Sequence, residues 1–247
     1  MKIFLINVGV NASHRDLRSP IFQDKKFELV PIPEDRISEA NFIDSEIVSR
    51  YRDLFKNKTF IPNRWLHRIA HNDPEFQTYT YGDYPTKSPR VFLLRHAQES
   101  DLLFFLSRLT TWDQGGFAIE SAFYLVGFFQ ICAIIKDINS LPSKEIFDSI
   151  KENAHVKRAT LDHKLYDGFW IFKGNEKSKI FDIAVPFNKD FADTVMRDAS
   201  GGMWIWKESK TINQIIGSYT RSCRCIKDKM FINKFLEKVQ EHNELIL

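Results

Sequence analysis

The densest concentration of titratable chemistry lies in His67-Arg68-Ile69-Ala70-His71-Asn72-Asp73-Pro74-Glu75-Phe76, followed by Thr78-Tyr79-Thr80-Tyr81-Gly82-Asp83. His71, Asp73 and Glu75 offer an acid, a base and an oriented hydrogen-bond partner, the groups that proton-transfer catalysis needs. Their separations of two place them on one side of an extended segment. If there is a reaction, Asp73 is the first candidate for general base and His71 for its orienting or proton-carrying partner; the plainer alternative makes Asp73-Pro74 a turn cap and Glu75 a solvated carboxylate. A second cluster, Ser13-His14-Arg15 with Arg18, stands at the mouth of the first strand, where guanidinium groups can hold phosphate in bidentate geometry. The third is His155-Val156-Lys157-Arg158, read as lying just past a helix that begins near Ser143, where basic residues are explained by the helix dipole alone.

The elements that must position these groups follow from periodicity. Lys2 to Val10 reads as a first, buried strand ending at Gly9 and Asn11. Three prolines hold Arg18 to Pro33 extended. From Ile37 to Lys58 the positions Ile47, Val48, Tyr51, Leu54 and Phe55 fall at helical spacing, with Asp44 or Ser45 as N-cap. Residues 62–90 carry four prolines and no sustained period, which marks a long irregular segment of the functional kind. Arg90 to Arg95, Asp101 to Leu109 and Ser121 to Ile135 read as adjacent strands, the last two joined at Gly115-Gly116 by a hairpin with a long tip. A helix capped by Ser143, strands at Gly168 to Phe172 and Ile180 to Val185, and a terminal amphipathic helix from Asp228 to Glu244 complete the order. The expectation is a single α+β domain over 1–247.

Composition narrows the function. The 247 residues are 43% hydrophobic and 27% charged, enough for a full core and far from a disordered composition. The most apolar run, Phe117 to Ile135, is broken by Glu120, Ser121 and Gln130, and Met1 to Val8 is strand-like, not a signal peptide. A soluble cytoplasmic protein without a membrane partner is expected. Cys132, Cys223 and Cys225 supply neither a disulfide framework nor a structural zinc site, and no metal is expected. Walker-type loops, dinucleotide fingerprints and metalloprotease helices are absent, so no cofactor is assigned. A net charge of +3 allows a local basic patch and weak, salt-dependent binding to a polyanion, with Arg15, Arg18 and Arg158 as the candidate phosphate contacts. The unusual number is 22 Phe, which suits aromatic-rich sheet structure.

Lys2 to Gly9, Ser19-Pro20-Ile21-Phe22 leading to Val30-Pro31-Ile32-Pro33, His71 to Phe76, Asp101 to Phe105 and Tyr124 to Ile131 together resemble the nucleotide modification associated domain family of the third type. The chain departs from that pattern at Ser100, where Gly is usual, and at Lys157 beside His155, where a second His is usual. The strand pattern also looks like the PUA, ASCH and EVE group of small barrels. Together these resemblances imply a PUA-like β-barrel core, mixed or antiparallel, with peripheral helices, and a protein of DNA base modification that binds a nucleotide or flipped base, alone or with other base-modification proteins. A flipped base needs stacking rings and hydrogen bonds to its edge, and Tyr79, Tyr81, Trp112 and Trp204 are the candidate rings. In this reading Ser13, His14, Arg15, Arg18, His155 and Arg158 contact the nucleotide, and the 13–18 turn and the 71–83 segment line one cleft. The alternatives are a non-catalytic reader of modified bases and a structural partner in a modification or defence operon. An enzyme needs a carboxylate or His of tuned pKa; a reader does not.

Overall fold

The computed structural model describes residues 1–14, 16–37, 45–113 and 115–245. Arg15 and the proposed cap Asp44 therefore lie outside the described residues. Among the described residues the strands in chain order are β1 (Ile3–Val8), β2 (Ser19–Ile21), β3 (Ile32–Pro33), β4 (Ala70–His71), β5 (Thr80–Asp83), β6 (Leu102–Asp113), β7 (Gly116–Ile138), β8 (Phe169–Gly174), β9 (Lys179–Pro186) and β10 (Arg224–Ile226). The helices are α1 (Tyr51–Leu54), α2 (Asn63–Leu66), α3 (Lys144–Ile150), α4 (Ala154–Leu161), α5 (Lys189–Val195), α6 (Ile212–Tyr219) and α7 (Lys229–Gln240).

Eight strands form one mixed sheet in the order β10-β1-β6-β7-β8-β5, with β2 added to β6 and β9 to β7; β3 and β4 pair separately. β1 runs parallel to β6, from Ile3 opposite Leu102 to Val8 opposite Ser107, and antiparallel to β10. Its near-continuous apolar run suits a strand covered on both faces. Ile3 and Leu5 enter one core with Leu102, Phe104 and Leu106, while Phe4, Ile6 and Val8 enter the other with Leu103 and Phe105. β7 pairs β6 up to Gln130 and β8 from Ile131 onward, its ladder shifting register at several points. Such bulges raise local twist and re-aim a strand, here carrying the sheet from β6 to β8 and β5. The strand path runs from β10 to β5, and no closed barrel is detected among the described residues.

The first core is covered by α5, α6 and α7. Asp228 caps α7 by accepting the Met230 amide, and Phe235 and Val239 are fully buried. The second core is closed by the loop around Phe76 to Tyr81 and by a 3-10 stretch, Pro89–His96. That stretch replaces the strand expected over Arg90 to Arg95. Pro89 opens it, the backbone kinks at Val91 (φ -125°, ψ 16°), and Val91 and Leu94 are buried in the second core. Of the helix expected over Ile37 to Lys58, the described residues form only the single turn α1, with Ile47 42% exposed; Ser45 accepts the Ile47 amide in a turn. The β6–β7 hairpin is joined at Gly115-Gly116, but Asp113 lies opposite Gly116 and the tip is short. No helix among the described residues is long and apolar enough to cross a membrane.

A buried polar cluster as candidate active site

Pairing of β3 with β4 sets Ile32 opposite His71 and brings Glu34 beside it. The Glu34 Oε2 lies 2.8 Å from His71 Nδ1. Burial pushes the Glu34 carboxyl up, but the His71 hydrogen bond and the His71 and Arg158 charges more than reverse this, holding it at about 2. An ionised carboxylate only accepts, so Nδ1 of His71 carries the proton and Nε2 faces away.

Asp73 follows β4 and is held from two sides. The Gly82 amide of β5 donates to both carboxyl oxygens, at 3.0 and 3.1 Å, and Asn153 Nδ2 donates to Oδ1 at 2.9 Å. Asn153 is also the N-cap of α4, its Oδ1 accepting the His155 amide at 2.9 Å. One amide side chain thus starts the helix and fixes the carboxylate. Oδ2 is less committed, sharing the Gly82 amide and facing His155 Nε2 at 3.5 Å, beyond a strong hydrogen bond. The Asp73 side chain is 5% exposed, and burial lifts its carboxyl well above the usual range against the pull of the Gly82 and Asn153 hydrogen bonds.

α4 carries His155 and Arg158 three residues apart on one face. The placement expected past a helix C-terminus is corrected: both belong to a second helix, His155 in its first turn. There the positive end of the helix dipole opposes an imidazolium. Burial, with the His71, Arg158 and Arg36 charges, pushes the His155 imidazole well below its usual value. Arg158 Nη2 donates to His155 Nδ1 at 2.9 Å. A guanidinium has no lone pair to offer, so His155 is neutral with its proton on Nε2, toward Asp73. Arg158 also donates to the Tyr84 hydroxyl at 2.7 Å and lies 3.5 Å from Glu34 Oε2; its buried Nε has no hydrogen-bond partner. Arg36 ties Tyr84 to Asp167, at 2.5 and 2.6 Å, on the more exposed side. The His71 and His155 rings meet edge to face, centroids 4.7 Å apart. One metal-ligating atom from each of His71, Asp73 and His155 lies within 4.8 Å of the others.

His71, Asp73, His155 and Arg158 are therefore brought together, and the other candidates are engaged by other partners. Glu75 caps its own turn, accepting the Gln77 and Thr78 amides at 2.8 and 2.7 Å and the Thr78 hydroxyl, so it is buried rather than solvated and its carboxylate is committed to that turn. Ser13 bonds Asn11, His14 Nδ1 accepts the Asn11 amide, and Arg18 donates to the Ala118 carbonyl over the Phe117 ring. Tyr81 is buried against Phe105 with its hydroxyl on Asp83. Tyr79 packs on Phe129, Trp112 on Phe117, and buried Trp204 stacks on Tyr219. Sequence reasoning missed Glu34, Asn153 and Tyr84. Asn153 before Ala154 carried an N-cap signal; Glu34, in a proline-bound extended run, carried none.

Comparison with curated proteins and with solved structures finds no match. A family model described as nucleotide modification associated domain 3 matches residues 2–190, a span that holds every residue of the cluster from Glu34 to Asp167. The chain belongs to the nucleotide modification associated domain 3 family.

Proposed function

We propose that this chain modifies a base, in nucleic acid or in a free nucleotide, at the cluster of His71, Asp73 and His155. The observation that carries the reading is Asp73: a buried carboxyl with one weakly committed oxygen, set against a neutral imidazole and a second imidazole oriented by Glu34. Proton transfer and ion coordination both use such a group, and a reader of bases needs neither. The candidate rings do not discriminate between the two, since Tyr81 and Trp204 are buried and Tyr79 and Trp112 are packed on neighbours, so a stacked base would need other partners in either reading. Arg158 faces inward and orients His155, so phosphate contact falls to more exposed basic groups. The PUA-like base pocket expected from the strand pattern is not used in this reading. Other base-modification proteins are its natural partners.

Asp73→Asn tests it. The amide keeps the shape and an acceptor oxygen for Gly82 and Asn153 but sets its NH2 toward the His155 Nε2–H, so stability should fall by about 1–3 kcal/mol, which leaves the chain folded. Base modification, read by nucleoside mass spectrometry of DNA and nucleotide pools from cells expressing the chain with its gene neighbours, should fall at least about 100-fold, roughly 2.7 kcal/mol of barrier. A folded variant that still modifies overturns the reading. A variant that unfolds makes Asp73 a structural cap and favours the reader.

A further inference from the structure

We propose that His71, Asp73 and His155 hold a first-row transition-metal dication. This deepens the reading of the same centre, on which it rests for what the ion would do but not for where it binds. It also replaces the sequence expectation of no metal.

Three atoms no more than 4.8 Å apart share a point within about 2.8 Å of each, and zinc bonds to imidazole nitrogen and carboxylate oxygen run about 2.0–2.2 Å. Side-chain shifts of under about 1 Å close that gap. Asp73 Oδ2 and His155 Nε2, at 3.5 Å, already have about the separation of two ligands on one tetrahedral ion. The surroundings match what metal ligands require. Glu34 accepts the hydrogen bond of the His71 Nδ1–H, the carboxylate–histidine arrangement that fixes a ring's tautomer and leaves Nε2 for an ion. Asn153 and Gly82 orient the Asp73 carboxylate mainly through Oδ1, leaving Oδ2 turned to His155. His155 offers Nε2 once its proton moves to Nδ1. Arg158 Nη2 then gives up that bond while keeping Tyr84, and Nη1 keeps Glu34. Two imidazoles and one carboxylate select Zn²⁺, Fe²⁺, Co²⁺ or Mn²⁺ over Mg²⁺, which prefers an oxygen shell. Three protein ligands leave positions open for water or substrate, the pattern of a catalytic site.

The test is titration of tag-free protein with Co²⁺, followed by visible absorption and by NMR. The expected result is one Co²⁺ per chain with d–d bands, displaced by Zn²⁺ and not by Mg²⁺. Two shifted, exchangeable imidazole N–H signals should report the two histidines in the unmutated protein, so the assignment does not depend on a variant that folds. Asp73→Asn and His155→Gln should weaken binding at least 100-fold. Glu34→Gln should weaken it 10- to 100-fold at unchanged stoichiometry. Absence of one-equivalent Co²⁺ binding, equal retention of Mg²⁺, or binding untouched by the ligand substitutions overturns the inference. If no ion binds yet Asp73→Asn abolishes modification, the function stands with Asp73 as proton acceptor. If the ion binds and Asp73→Asn still modifies, the metal site stands and the functional reading falls.

Discussion

Glu34 faces both His71 and Arg158, and its effect on stability has a definite sign. Its folded value, about 2, lies below the usual 4.5, so the folded state favours its ionised form. A depressed carboxyl contributes fully above its unfolded value and loses that contribution as pH falls toward its folded one. Glu34 should therefore supply on the order of 3 kcal/mol at neutral pH, fading between about pH 4.5 and pH 2. Urea unfolding of the unmutated chain and Glu34→Gln across that range checks this: the gap should be widest near pH 6 and nearly closed at pH 2. A gap of equal size at both ends removes the electrostatic account. This residue also marks where the sequence ceases to be legible. His71, Asp73, His155 and Arg158 stand out by type, because few other residues do such chemistry. Their partners do not, since Glu34 reaches His71 across 37 positions and Asn153 reaches Asp73 across 80. Only folding creates those pairs. Glu75 looked equivalent to Asp73 at a spacing of two, and its local turn took its carboxylate instead.

Close approach of α4 to β5 depends on one missing side chain. A Cβ at Gly82 would lie 2.5 Å from Cδ2 and 2.8 Å from Cγ of His155, with Asn153 Oδ1 at 3.0 Å. The imidazole has nowhere to retreat, because the Phe169 and Tyr84 rings flank it at 5.5 and 5.4 Å. Gly82→Ala should cost about 1–3 kcal/mol as an overpacked contact and displace His155. Gly116→Ala, whose nearest neighbour would be 3.9 Å away, should stay within about 0.5 kcal/mol. Thermal melts of both, with the His155 ring signals followed by NMR, make the comparison; equal melts would mean that α4 is free to move. The same junction shows which elements a sequence reveals. β1, β6, β7, β8, β9 and α7 are long or strongly apolar, and their period is plain. α4 has eight residues, with Val156 and Ala159 set among His, Lys and Arg, and its hydrophobic stripe is too thin to read. Val91 to Leu94 shows the opposite failure: four apolar residues in a row fit a strand or a tight helix equally well, and Pro89 decided between them.

At the scale of the molecule, the family match ends at residue 190 but the core does not. Phe104 on the central β6 meets Phe235 of α7 at 4.7 Å, and Phe235 meets Phe191 of α5 at 5.2 Å. Trp204, Ile216, Ile226, Ile232 and Val239 join the same cluster over Phe128 and Phe181. β10 supplies the outer partner of β1, pairing Ile3, Phe4 and Leu5 with residues 224–226. Removing 191–247 would strip that face and leave an apolar strand at the sheet edge, the arrangement most prone to aggregate. Each large side chain so uncovered is worth about 1.5–3 kcal/mol of burial, and a whole domain is stable by only about 5–15 kcal/mol. The matched span alone should therefore fail to fold, although it contains every residue of the candidate site. Expression of 1–190 beside the full chain decides the matter: the fragment should be insoluble, or soluble without near-ultraviolet dichroism or a cooperative urea transition. Phe235→Ala is the milder version, expected to cost about 3–5 kcal/mol. Its effect on the His71–Asp73–His155 cluster should come only through the unfolded fraction, because α7 packs on the first core whereas Phe76 to Tyr81, beside the cluster, pack on the second. A cooperatively folding 1–190 fragment that keeps the His155 ring signals would overturn this view and make the C-terminal helices a separable cover.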